Sequence, residues 1–212
     1  MPAETLRSGR LTVLLASSNA GKLRELRALA LEDSSCSALD LQLFPGFSQI
    51  AEFAESAPTF AENAAGKALY YSHHTEFLVM ADDSGLVVDA LGGAPGVMSA
   101  RYAGPKASDA ERIAKLLDAM RAAGSDQRTA RFICVIALAQ RGRPVGIFSD
   151  SSEGEILDAP SGTGGFGYDP VFFFPALGKT FAELTPEQKN AHSHRGKAFR
   201  KAAAFLAGND VV

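Results

Sequence analysis

Leu78-Val79-Met80-Ala81-Asp82-Asp83-Ser84-Gly85-Leu86-Val87-Val88-Asp89 is the stretch around which the chain is arranged. Its short apolar run, residues 78–81, reads as a buried strand. That strand delivers two carboxylates and a hydroxyl to an expected turn at Gly85, and a second apolar run follows. Side chains alternate along a strand, so Asp82 and Asp83 point to opposite faces and only one of them serves any given site. Asp82 to Gly85 alone fit a turn between strands as well as they fit a site. Downstream, Leu91-Gly92-Gly93-Ala94-Pro95-Gly96 adds a backbone suited to close approach by a ligand or another chain segment.

Upstream, Leu11-Thr12-Val13-Leu14-Leu15-Ala16 is a continuous apolar run of strand length, as for a strand buried on both faces. Ser17-Ser18-Asn19-Ala20-Gly21-Lys22 forms the turn after it. A helix follows, with Leu23, Leu26 and Ala30 on one side and Arg24, Glu25 and Arg27 on the other. A strand–turn–helix order suits phosphate, because a helix N-terminus presents free N–H groups and a positive dipole end. Ser17, Asn19 and Lys22 add side-chain donors, although the P-loop pattern is absent. The turn alone fits an N-cap slightly better than an anion site. Residues 33–58 are loop-rich, with a strand at 39–44 and the acidic pair Glu52 and Glu55, which by themselves are best explained by a solvated charged loop. Thr59-x-x-Glu62 has capping-box spacing and opens a second helix. On it Asn63 and Lys67 lie one turn apart and share a side. Favourable charge at that helix's C-terminus explains His73 and His74 better than metal ligation.

Beyond the central stretch, residues 108–120 read as an amphipathic helix carrying Ile113, Leu116, Leu117 and Met120. Residues 129–140 form a long strand with Phe132, Cys134, Ile136 and Leu138 on one face. Its hairpin partner is expected at 144–149, through Arg141-Gly142-Arg143. Ser161-Gly162-Thr163-Gly164-Gly165-Phe166-Gly167-Tyr168-Asp169-Pro170 then leads into a strand at 171–174. Phe166 there is either a base-stacking platform or a ring tucked into the core. Lys189-Asn190-Ala191-His192-Ser193-His194-Arg195-Gly196-Lys197 precedes the last helix, whose apolar face is Phe199, Ala202, Phe205 and Leu206. Ser193 is a natural N-cap. It leaves His194 and Arg195 in the first turn, where cations oppose the dipole, and this argues for a functional role.

Composition bounds the possibilities. With 212 residues, 46% hydrophobic and 21% charged, the chain reads as an ordinary globular enzyme with a sizeable core. A net charge of −3 gives no reason to expect duplex nucleic acid or an anionic membrane, though a local basic cluster still suits a polyanionic small molecule. Cys36 and Cys134 are far apart, outside any metal-ligand spacing, and fit a reducing cytoplasm. No run spans a bilayer and residues 1–10 lack a secretory core. The expectation is a flexible tail at 1–10 and one two-lobed catalytic domain at 11–212, with no visible lobe boundary.

Together the motifs resemble the inosine triphosphate pyrophosphatases, or non-canonical purine nucleoside triphosphate pyrophosphatases. The residues carrying the resemblance are Ser17-x-Asn19-x-x-Lys22, Thr59-Phe60-x-Glu62-Asn63 with Lys67, and Ala81-Asp82-Asp83-Ser84-Gly85-Leu86. Leu91-Gly92-Gly93-Ala94-Pro95-Gly96 with Ser99-Ala100-Arg101-Tyr102, Gly164-Gly165-Phe166-Gly167-Tyr168-Asp169-Pro170 and Ser193-His194-Arg195-Gly196 complete the set. The resemblance implies an elongated two-lobed α/β fold, a long mixed sheet flanked by helices, and an active site in the cleft between lobes. It also implies a homodimer that hydrolyses ITP, dITP and XTP to the monophosphate and pyrophosphate with Mg²⁺. By the same resemblance Asp83 is the catalytic base and a metal carboxylate, and Glu55 a second metal-site acid. Ser17, Ser18, Asn19, Ala20, Gly21, Lys22, Lys67 and Ser84 hold the triphosphate. Phe166, Gly167, Tyr168, Asp169, Lys189, His194 and Arg195 hold the base and sugar. Alternatives are a pyrophosphatase for other modified nucleotides, or a non-catalytic nucleotide sensor. The polar segment Ser149-Asp150-Ser151-Ser152-Glu153-Gly154 departs from the family pattern, and its position points to the dimer or sheet edge.

Overall fold

A computed structural model describes residues 10–17, 20–32 and 39–208. Its centre is one mixed seven-stranded sheet in the order β2-β1-β3-β4-β5-β6-β7. Strand β1 (Leu11–Leu15) pairs in parallel with β2 (Leu39–Leu43) on one side and β3 (Leu78–Val88) on the other. Val13, Leu14 and Leu15 are accordingly buried on both faces of the sheet, as the unbroken apolar run implies. Helix α1 (Ala20–Glu32) crosses from β1 to β2, and α2 (Phe60–Ser72) crosses back from β2 to β3. Right-handed crossovers running in opposite directions place these helices on opposite faces of the sheet. Helix α1 buries Leu23, Leu26 and Leu29; Leu29, not Ala30, completes its apolar stripe because the contact follows i, i+3, i+6.

The largest departure from the sequence reading lies in β3. No turn forms at Gly85; the strand continues for 11 residues through Asp82, Asp83, Ser84 and Gly85. Apolar residues on both flanks are buried, so the ladder and core outweigh the turn tendency of Asp-Ser-Gly. β4 (Thr129–Gln140) has the expected bounds. β5 (Arg143–Ile156) is longer than its expected partner segment and takes in the polar Ser149 to Gly154 stretch. The two strands join through Arg141 and Gly142, both at positive φ (51° and 72°), as a two-residue hairpin requires. Gly154 leaves room for the Phe172 ring, and buried Ser152 donates its hydroxyl to His192 O at 2.7 Å.

The described residues fall into two compact units. One comprises residues up to 83, 135–149 and 198 onward, and its core joins Leu15, Leu26, Ala64, Ala68, Tyr71 and Met80. The other comprises residues 84–134 and 150–197. There α3 (Asp109–Ala123) buries Ile113, Leu116, Leu117 and Met120, as its period predicts, behind a capping box at Ser108 and Glu111. Short strands β6 (Phe172–Phe174) and β7 (Lys179–Thr180) add Phe172, which meets Phe132 at 4.6 Å and Phe181 at 4.8 Å. Before the last helix, α5 (His194–Gly208), stands an unexpected short helix, α4 (Pro186–His192). Thr185 caps it, with Pro186 at its first position and Gln188 closing the box; that signal was present in the sequence. Two α5 lysines reach β5: Lys197 Nζ donates to Ser151 O at 3.0 Å and Lys201 Nζ to Ser149 O at 2.8 Å. β6 pairs only with Glu155 and Ile156 of β5.

Candidate active site

In the first unit, reversal of strand order beside β1 makes a topological switch point, the usual ligand crevice of an open α/β sheet. Ser17, two residues past β1, is buried, and its amide donates to Leu15 O at 2.8 Å. Ser18 and Asn19 lie outside the described residues. Ala20 and Gly21 open α1, and Lys22 follows in its first turn. Lys22 Nζ reaches both Asp82 carboxylate oxygens, at 2.8 and 3.0 Å. Asp83 instead accepts from Asn63 Nδ2 on α2 at 3.0 Å. The two aspartates thus go to different helices, as strand alternation requires.

Asn63 is buried, and its Oδ1 accepts the Ala57 N–H at 2.9 Å. This ties Asp83 to the loop that carries Glu55. One turn further along α2, Lys67 Nζ sits 2.6 Å from Glu55 Oε1. Burial pulls the Lys67 ammonium towards neutrality, but its hydrogen bond to Glu55 and the charges of Asp82, Glu55 and Asp83 more than offset this, and its pKa is raised. Three carboxylates therefore act on one cation. Thr59 caps α2 by accepting the Glu62 N–H at 3.2 Å, and the Glu62 carboxylate takes the Thr59 hydroxyl at 2.7 Å. Glu62 is thereby explained structurally.

The second unit gathers the other candidates. Phe166 is 53% exposed, so its ring is not tucked into the core. Lys189 Nζ stands 4.5 Å from its ring centroid and the Arg195 guanidinium 5.6 Å from it. Buried Asp169 pairs with Lys189 and accepts the Phe166 N–H at 2.8 Å. A Cβ on Gly165 would overlap that carboxylate, so glycine is needed there for space as well as for its φ of 72°. The Gly167 N–H goes to Asp109 at 2.7 Å. Tyr168 is buried in the core, where its hydroxyl donates to Ser99 O at 2.8 Å and burial raises its pKa. Ser193 caps α5 by accepting the Gly196 N–H at 3.0 Å. Behind that cap, buried His194 stacks on Phe132 at 4.8 Å, and Arg195 Nη2 donates to Ser84 Oγ at 3.2 Å.

These features can be set beside known proteins. The Ham1 family profile matches residues 13–205. The chain belongs to the Ham1 family. A dITP/XTP pyrophosphatase of Geobacillus kaustophilus is 50% identical over 189 residues, 89% of this chain and 91% of that protein. One from Desulforamulus reducens is 47% identical over 92% of this chain and 94% of its own. Among solved structures, a HAM1 protein from Coxiella burnetii superposes with a TM-score of 0.84 at 43% identity, covering 94% of this chain and 100% of that one. The resemblance read from the motifs, the mixed α/β fold included, is therefore borne out.

Within this Ham1-family chain, three contact-making residues escaped the sequence reading. Asp82 had no visible partner, because Lys22 lies 60 positions away. Asp109 and Arg112 sit at the start of α3, where the sequence reading noted only the apolar face. Cys134 is a buried core thiol, as expected, and Cys36 lies outside the described residues.

Proposed function

We propose that this protein hydrolyses ITP, dITP and XTP to the monophosphate and pyrophosphate, removing deaminated purine nucleotides from the pool. The observation that carries the reading is the arrangement at the switch point. Asp83 is held by Asn63, and Lys22 and Lys67 stand ready to exchange carboxylate partners for phosphate oxygens. Water attacks the α-phosphorus, the bond to the bridging oxygen breaks, and Asp83 takes the proton from water. Pyrophosphate leaves with added charge, which Lys22 and Lys67 stabilise more strongly in the transition state than in the ground state. Ser17, Ser18, Asn19, Ala20, Gly21 and Ser84 complete the phosphate set.

Among the described residues no three His, Cys, Asp or Glu side chains form a ready-made metal cage. Mg²⁺ does not need one, since it takes one or two carboxylates and completes its shell with water and substrate phosphate. The hard oxygen donors Asp83 and Glu55 fit that mode, and Lys67 lies beside Glu55 with the charges of Asp82 and Asp83 also acting on it. When bound, the ion supplies charge neutralisation of the phosphates.

The second unit's residues read the base. Hypoxanthine and xanthine carry a 6-keto acceptor where adenine carries an amino donor. Lys189 and Arg195, donors only, donate to the first and leave adenine unpaired beside the Phe166 platform. Gly167, Tyr168, Asp169 and His194 support the same half of the nucleotide. We read the chain as one catalytic domain acting as a cytoplasmic homodimer. No described helix is long and apolar enough to cross a membrane.

The test is pyrophosphate release from ITP, XTP, dITP, GTP and ATP, with Mg²⁺ and with chelator. Metal-dependent release that favours the first three supports the reading; equal activity on all five removes the specificity. Asp83→Asn should abolish turnover and leave ITP binding measurable, and a parallel loss of both would contradict the base assignment.

A further inference from the structure

We propose that Asp109 and Arg112, on the first turn of α3, are positioning residues that set the Phe166 platform and so tune base selectivity. The inference rests on the reading of Phe166 as that platform. The ring is exposed, yet the two peptide N–H groups beside it are held by carboxylates from two different elements. Phe166 N–H donates to Asp169 at 2.8 Å and Gly167 N–H to Asp109 at 2.7 Å. Asp109 is fixed in turn by an ion pair with Arg112. Arg112 Nη1 donates to Ala100 O at 2.9 Å and Ala107 O at 2.6 Å. The same 3-10 segment that carries Ala100 carries Ser99, whose carbonyl receives the Tyr168 hydroxyl. The loop is thus pinned at Phe166, Gly167 and Tyr168, and two of the three pins lead back to the Gly96–Arg101 turn and α3. Partial burial raises the Asp109 pKa, but the Gly167 and Arg112 bonds outweigh it and the net shift is down, so the anchor is charged at neutral pH. Gly167, at a φ of 63°, has no side chain of its own to hold the loop.

The test compares full-length wild type, Asp109→Ala and Asp109→Asn. Amide exchange of the nucleotide-free protein over residues 161–170 is measured beside kcat and KM for ITP and ATP. Asp109→Ala should speed exchange at Gly167, raise the ITP KM about tenfold and shrink the ITP-to-ATP ratio of kcat/KM by about as much. Asp109→Asn keeps an acceptor and should recover most of each loss. Wild-type exchange and selectivity in Asp109→Ala would overturn the proposal. A variant that only melts earlier, with the ratio unchanged, would overturn it equally. If wild type itself releases no pyrophosphate from ITP, the function reading fails, while the exchange result still decides whether Asp109 holds the loop.

Discussion

Replacing Asn63 with alanine tests the centre of the phosphate site. The side chain is 1% exposed and makes two well-formed bonds: Nδ2 to Asp83 at 3.0 Å, and Oδ1 from the Ala57 N–H at 2.9 Å. A bond to a charged acceptor contributes about 1.5–3 kcal/mol and a neutral amide bond about 1 kcal/mol. Asn63→Ala should therefore cost about 2–4 kcal/mol. At about 2–4 °C per kcal/mol for a domain of this size, melting falls by roughly 5–15 °C. The urea midpoint should fall with an unchanged slope. Turnover should drop further than stability implies, because Asn63 fixes both the Asp83 carboxylate and the loop two residues after Glu55. Misplacement of a catalytic group by about 1 Å can cost about a hundredfold in kcat. Asn63→Asp sharpens the test, since it keeps the acceptor for Ala57 but sets a second carboxylate about 3 Å from Asp83. At an effective dielectric of about 20 that repulsion is about 5 kcal/mol, so this variant should be the less stable of the two at neutral pH. Stability within about 0.5 kcal/mol of wild type, together with wild-type turnover in Asn63→Ala, would refute the reasoning.

Arg195→Ala should lower the ITP-to-ATP ratio of kcat/KM by about tenfold or more, and an unchanged ratio would move base reading elsewhere. The acid limb of stability can be titrated at the α3 cap. The Glu111 carboxyl is held below its ordinary value of 4.5, chiefly by the Ser108 N–H and then by the Ser108 hydroxyl. Its folded pKa is depressed, so its contribution is fully present above pH 4.5 and is lost as pH falls through the lower folded value. Glu111→Gln should flatten that acid limb in thermal melts and leave the alkaline side unchanged; an unaltered acid limb would discount the cap.

Most of the fold was legible because its elements carry local signals. The period in α3, the unbroken apolar run of β1, and the caps at Thr59 and Ser193 all depend on neighbours within a few residues. Gly85 misled for the same reason. Asp-Ser-Gly carries turn chemistry locally, and only the flanking core holds it in a strand. The alternation rule separated Asp82 from Asp83, yet it could not say that Lys22 takes one and Asn63 the other, since those pairings close 60 and 20 positions of chain. Phe166 stayed ambiguous because glycine-rich loops serve platforms and tight core turns alike. Its exposure rules out the core turn, and two cations lie over its face.

Lys197 and Lys201 have a consequence for how the protein behaves in a crowded solution. Because β6 meets β5 only at Glu155 and Ile156, the preceding part of β5 has no β6 residues beside it. An open strand flank is a template on which another chain's strand can grow. The ammonium groups of α5 occupy the carbonyls of Ser151 and Ser149, alternate rungs of that flank, and an incoming strand would have to displace both and bury their charge. The last helix therefore disfavours uncontrolled strand addition along β5, and neutralising those lysines should show first as turbidity, with catalysis still intact.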